Sequence, residues 1–177
     1  PAKSDINAIV VRYAEVLLNY AEAKIEANAI DESVYTSINK IRQRAGMPLI
    51  TANKSQSELR SVVRKERKIE LACEGLRYYD ILRWKLADKL LNGPCYGRIP
   101  KGLLASAPKI DENGTPDYSS VSNTSQMRVI QMRIFDKTKN YLWPIPGIEI
   151  QTNPKLVQNP NYSSLHLFLN KNSSISV

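Results

Sequence analysis

The decisive stretch is Arg67-Lys68-Ile69-Glu70-Leu71-Ala72-Cys73-Glu74-Gly75-Leu76-Arg77-Tyr78-Tyr79-Asp80-Ile81-Leu82-Arg83-Trp84. Just upstream, Leu59, Val62 and Val63 join Ile69 and Cys73 in an apolar row at helical steps, so the stretch opens as the end of an amphipathic helix. Ser55 or Ser57 supplies its cap, because a serine hydroxyl accepts the first free backbone N–H groups. Cys73 in this row predicts a small buried side chain. Gly75 breaks the helix, and a second helical pattern runs from Leu76 to about Leu91.

The charges of this block decide how it is used. Arg60, Arg64, Lys65, Arg67 and Lys68 place five basic residues in nine positions, a density that suits a phosphate-binding stripe. Glu58, Glu66, Glu70 and Glu74 are interleaved with them. The four-residue step of the last three lets them pair with arginines and repel a polyanion, so a salt-bridged face is the better reading. Nothing near the Glu row supplies the nucleophile or metal that a catalytic carboxylate pair serves. Beyond Gly75, Tyr78, Ile81, Leu82 and Trp84 stand beside Arg77, Asp80 and Arg83, whose charges alternate at three-residue steps. Aromatics beside paired charges read as a buried, hydrogen-bonded corner, and alternatively as a sugar- or base-stacking surface.

Working outward toward the start, Val10, Tyr13, Ala14, Leu17, Leu18, Ala21 and Ile25 mark a helix for which Asp5 is the candidate cap. Asn28-Ala29-Ile30-Asp31 makes a turn, Asp31 caps a second helix carrying Val34, Tyr35, Ile38, Ile41 and Ala45, and Gly46 and Pro48 end it. Two helices joined by a tight turn form one tetratricopeptide-like (TPR) hairpin, which cannot bury both its faces alone. The predicted fold is therefore mainly α: a TPR-like hairpin and further helices.

Toward the end the texture changes. Four of the seven glycines and four of the ten prolines fall between Gly93 and Gln126, predicting a long irregular loop in which Tyr96, Arg98 and Tyr118 are the conspicuous side chains. Arg128–Ile134 reads as a short β-like run, with Tyr141-Leu142-Trp143 as its expected partner in a small β-hairpin. Pro144 and Pro146 forbid helix and most ladder pairing there, and the chain from Asn153 onward reads as an irregular tail.

Composition bounds the functions available. The 177 residues carry 25 Lys and Arg against 17 Asp and Glu, a net charge of +8 that permits anionic partners and proves none. No apolar run approaches the roughly 18–20 residues of a membrane span. Cys73, Cys95 and His166 are too few and too scattered for a closed zinc site, and Cys73 and Cys95 admit either a disulfide in an oxidising compartment or two free thiols. No GxGxxG, Walker A, GxSxG or HExxH pattern occurs.

Taken in order, four blocks resemble the SusD/RagB family. Arg12–Ala23 is similar to its RLAEVLLNYAEA helix, and Ile38–Pro48 to the helix that follows. Arg67–Trp84 resembles ERRxELAFEGxRxxDLxRW. Leu142–Pro146 with Asn153–Tyr162 resembles LxPIPxxEIxxNPxLxQNPGY. Two departures stand out: Cys73 where an aromatic is common, and Asn161 in place of the glycine before Tyr162, where the turn is expected to differ slightly.

The resemblance implies that residues 1–177 belong to the family's C-terminal region, helical over 5–91, irregular over 93–126, with a short β-like segment and tail over 128–177. The TPR-rich N-terminal part, with its lipoprotein signal and lipidated cysteine, then lies outside this chain. The resemblance further implies a non-enzymatic lipoprotein at the outer-membrane surface. Such a protein captures oligosaccharide or peptide and hands it to a SusC-like TonB-dependent transporter, with no cofactor, no metal and no nucleic acid. The alternative is a scaffold region that docks the transporter or other helices and touches no ligand. No ligand residue of the family maps onto these blocks. Glu66, Arg67, Glu70, Glu74, Gly75, Arg77, Asp80, Arg83 and Trp84 form its structural motif, and Tyr96, Arg98 and Tyr118 are the ligand-binding candidates.

Overall fold

A computed structural model of the chain describes residues 9–100, 102–103, 107–111, 113–121 and 123–162. These fall into two compact units, one drawn from Pro1–Asp80 and Lys101–Thr124, the other from Ile81–Pro100 and Ser125–Val177.

The first unit is helical. α1 (Tyr13–Glu26) and α2 (Glu32–Arg44) form the hairpin, and α3 (Gln56–Glu70) packs chiefly against α1. Leu18, Ile25, Val34, Ile38, Leu59 and Val63 are fully buried between the three helices. Each such side chain contributes about 1.5–3 kcal/mol of apolar burial, and this cluster is what makes three short helices cohere. The turn between α1 and α2 uses Asn28 in the left-handed region (φ 53°), which a short polar side chain tolerates. Asp31 then caps α2 by accepting the Ser33 amide at 3.0 Å and pairs with Lys24 of α1. Ser55 caps α3 in a capping box with Glu58. Gln56 also donates its amide to the Ile25 carbonyl at the end of α1 (2.7 Å), a second donor on an oxygen that already accepts the Asn28 amide at 3.0 Å. The row Tyr13, Val16, Tyr20 stays exposed along α1.

Three expectations for this unit are corrected. α1 begins at Tyr13 after Arg12, with Val10 exposed ahead of it; Asp5, the expected cap, lies outside the described residues. Cys73 is exposed rather than buried, because α3 stops at Glu70 and the chain turns through Leu71, leaving Cys73 in the left-handed region (φ 65°). The helical pattern after Gly75 is two helices, α4 (Leu76–Arg83) and α5 (Ala87–Leu90), interrupted where Lys85 takes a positive φ.

In the second unit, Ile81, Ala87 and Phe135 are buried, with Leu82, Leu86, Leu90, Leu91 and Tyr141 packed around them. β1 (Gly93–Tyr96) pairs antiparallel with β2 (Val129–Arg133), and α6 (Gly147–Thr152) follows. The strand of 128–134 was expected, but its partner is Gly93–Tyr96, in the region expected to be irregular, and not Tyr141–Trp143. Two interactions decide this. Asn92 brackets Phe135, accepting its amide (2.7 Å) and donating to its carbonyl (3.0 Å), which aligns the two strands from their open end. Asp136 folds the chain after β2 into a turn by accepting the Thr138 amide, and Tyr141 then leaves the strand direction to pack edge-on against Phe135.

Beyond that turn Pro144 and Pro146 deprive the backbone of donors, so side chains supply its partners. Gln158 accepts the Ile145 amide (2.8 Å) and donates to the Ile145 carbonyl (2.9 Å). Asn159 donates to the Trp143 carbonyl and Tyr162 to that of Leu142. Asn161, expected to alter the turn before Tyr162, adopts the left-handed conformation (φ 64°) that glycine supplies without strain.

The Asp31 cap is testable by pH. Hydrogen bonds from Lys24 and Ser33 lower its carboxyl from the ordinary 3.8 to about 2. Because the folded value lies below the unfolded one, the cap's stabilisation is complete above the unfolded value and is lost as pH falls through about 2. NMR titration of the side-chain carboxyl is expected to show that depressed midpoint; titration at the ordinary value would show that the link to Lys24 is not formed.

Candidate functional site

The block that decides the fold is organised around one buried guanidinium. Arg67 faces Asp80 through two hydrogen bonds, Nε to Oδ2 at 3.0 Å and Nη2 to Oδ1 at 3.1 Å. It also donates to Asn19 Oδ1 and lies 3.5 Å from the Glu22 carboxylate of α1. Arg67, Asp80 and Glu22 are all buried. This bidentate geometry is the one in which a planar guanidinium best compensates the desolvation of carboxylates.

The Glu row of α3 pairs with arginines of other segments, not with those of its own helix. Glu66 meets Arg42 of α2. Glu70 accepts from Arg12 (2.8 Å) and from Arg44 (2.7 Å), and Arg12 also reaches both oxygens of Glu74 (2.9 Å). Its hydrogen bonds to Glu74 and Glu70 raise the Arg12 pKa further above its already high value. The expected structural motif is therefore spread unevenly: Glu66, Arg67 and Asp80 are buried, Glu70 and Arg77 half-buried, and Glu74, Gly75 and Arg83 exposed. Arg83 stacks its guanidinium over the half-buried Trp84 ring, 4.9 Å from its centroid.

The ligand candidates fall in different units. Tyr96 closes β1 and Arg98 follows it, exposed, in the second unit; Tyr118 is half-buried in the first. A bulge shapes the first pair: Cys95 opposes Gln131 but Tyr96 opposes Val129, so Ile130 is the extra residue. Ile130 packs against Gly97, where a Cβ would lie 3.0 Å from its Cδ1, and the Gly97 amide returns to the Arg128 carbonyl (2.9 Å). The loop expected to be irregular thus holds Tyr96 at the end of a paired strand. Tyr118 follows a turn tied by Asp111, which accepts the amides of Asn113 (2.9 Å) and Thr115 (2.7 Å). Lys68 and Arg77 donate to carbonyls of that turn.

Two features of the first unit were not read from the sequence. One is this cationic contact, for which the Asp111, Asn113 and Gly114 turn signal was the available clue. The other is an open groove of about 360 Å³ between α1 and α2, floored by Tyr13, Leu17 and Ile41 and rimmed by Arg12, Lys40 and Arg44. Among the described residues no group of three or more His, Cys, Asp or Glu is placed to hold a metal ion, and no helix is long and apolar enough to cross a membrane. Cys73 and Cys95 are both free thiols.

The SusD family profile matches residues 1–162. The chain belongs to the SusD family. A SusD-like protein of Formosa agariphila is 34% identical over 168 residues, covering 90% of this chain and 27% of the relative. One from Bacteroides ovatus is 26% identical, covering 89% and 30%. Among solved structures, a SusD-like carbohydrate binding protein of Bacteroides fragilis superposes with a TM-score of 0.63 at 35% identity, over 84% of this chain and 28% of that one. A second SusD-like protein from the same organism gives 0.64 at 30% identity, over 87% and 26%. The mainly helical fold with one antiparallel strand pair is thus a SusD-like fold, and the chain spans about a quarter of the length of these relatives.

The buried network gives a graded stability prediction. Arg67→Met leaves Asp80 and Glu22 buried without their cation and is expected to cost about 3–5 kcal/mol. Glu74→Ala breaks a half-exposed pair and is expected to cost at most about 1 kcal/mol. Urea unfolding of the 177-residue chain measures both. Equal losses would show that Arg67 does not organise the block.

Proposed function

We propose that this chain is part of a non-enzymatic, lipid-anchored receptor at the outer-membrane surface. Its receptor captures oligosaccharide, or peptide, and passes it to a SusC-like TonB-dependent transporter. The observation that carries this reading is membership of the SusD family, together with the likeness to a solved SusD-like carbohydrate binding protein.

The chemistry at hand suits capture. A pyranose presents an apolar C–H face ringed by hydroxyls, so it is held by stacking on aromatic rings and by hydrogen bonds to neighbouring polar groups. In one unit, Tyr96 and Arg98 at the end of β1 offer a ring and an exposed guanidinium; in the other, Tyr118 offers a ring of its own. Such binding is reversible and needs no nucleophile, metal or cofactor, which fits a protein that releases its ligand intact.

Isothermal titration of the intact protein against amylopectin, xylan, galactomannan and casein peptides tests the reading. At least one is expected to bind, and Tyr96→Ala, Arg98→Ala or Tyr118→Ala to weaken it by about tenfold, the equivalent of one lost stacking or charge-assisted contact. Association with the transporter in solubilised outer membranes, with no affinity for any glycan or peptide, would instead favour a docking scaffold.

A further inference from the structure

We propose that Lys68 and Arg77 form a two-point cationic latch that fixes the turn around Asn113 and Gly114, and through it the position of Tyr118. The two cations come from consecutive helices and reach consecutive carbonyls. Lys68 Nζ on α3 donates to the Gly114 carbonyl at 2.9 Å, and Arg77 Nη2 on α4 donates to the Asn113 carbonyl at 2.9 Å. These contacts span 46 and 36 residues of chain, so they join a distant segment to the helices and do not merely tighten a local turn.

The turn is shaped to receive them. Asp111 holds it from inside through the Asn113 and Thr115 amides, and Ile110 and Pro116 bridge its base. Gly114 has φ +84°, and a Cβ there would lie 1.9 Å from Lys68 Nζ. The ammonium therefore occupies the space that only glycine leaves open. Apolar anchoring of this segment is thin: Ile110 is 66% exposed, whereas Val121 is buried and its amide donates to the Tyr118 carbonyl at 3.0 Å. Tyr118 thus lies between a charge-held turn and a buried valine.

The cost of this arrangement is legible on the cations themselves. Burial first, and then the Arg77 charge, hold the Lys68 ammonium below the ordinary lysine range, while Asp111 opposes the shift. Arg77 is likewise lowered by burial. Two desolvated like charges side by side are tolerated where oriented carbonyl dipoles face both of them.

The statement about Tyr118 rests on its reading as a ligand residue; the latch does not. The test is residue-resolved amide exchange by NMR on the 177-residue chain. Lys68→Met with Arg77→Met is expected to speed exchange at Asn113, Gly114, Thr115 and Ser119 by about tenfold or more, in line with loss of hydrogen bonds to charged donors. Exchange at Leu18 and Ile38 is expected to stay unchanged, and Lys68→Arg with Arg77→Lys to restore part of the protection. Unchanged exchange in the double Met variant overturns the latch, as does equal acceleration throughout the fold. Amylopectin, xylan, galactomannan and casein peptides, titrated against the intact protein, supply the second readout. If the latch variants free the turn but bind as the parent does, while Tyr118→Ala binds more weakly, the positioning role is overturned. If Tyr118→Ala itself binds as the parent does, the ligand reading fails and the latch stands on its exchange data.

Discussion

A guanidinium cannot enter a protein interior alone, and Arg67 is the fixed point to which the helical unit conforms. Its two carboxylate neighbours and its amide neighbour come from α1 and α4, so α3 has one depth and one rotation at which all of them are met. That position in turn sets where Glu66 and Glu70 emerge, and they emerge opposite Arg42, Arg44 and Arg12. Apolar burial holds the helices together; the charges choose the register. Leucines and valines alone would tolerate some loss of a unique packing at modest cost. A bidentate contact at 3.0 and 3.1 Å would not.

The helices and their ends were legible because their signals are local. Asp31, Ser55 and Gly46 act on amides and carbonyls within a few residues, and the apolar rows of α1 to α3 need only a period to be seen. Burial of Arg67 was not legible from periodicity, since five basic residues in nine positions look alike until distant partners single one out. Cys73 misled for a related reason. Its place in the apolar row assumed that α3 continues, and the helix ends three residues earlier. The strand pairing failed because proximity in sequence favoured Tyr141–Trp143, while the deciding contact, Asn92 with Phe135, joins residues 43 apart.

The candidate site was the least legible part. Tyr96, Arg98 and Tyr118 were singled out by their type in a segment rich in glycine and proline, a compositional argument that says nothing of geometry. The structure makes that segment specific instead of slack. A strand paired across its partner's bulge carries Tyr96, and an aspartate-tied turn precedes Tyr118. Neither device has a strong sequence signature, since a bulge is defined by the partner strand and the turn's cations lie on helices read for another purpose.

The amide of Gln158 takes the place of a missing strand beside Ile145, and its neighbours Asn159 and Tyr162 complete the contact with the proline-flanked segment. Two stretches separated in the chain therefore behave as a single object. Residues 147–157 stand outside these four hydrogen bonds and hold α6, whose Glu149 amide donates to the Pro146 carbonyl at 3.0 Å. One residue added inside either stretch misaligns every bond at once. The two short stretches are thereby coupled: displacing either one takes the partners of the other out of reach together.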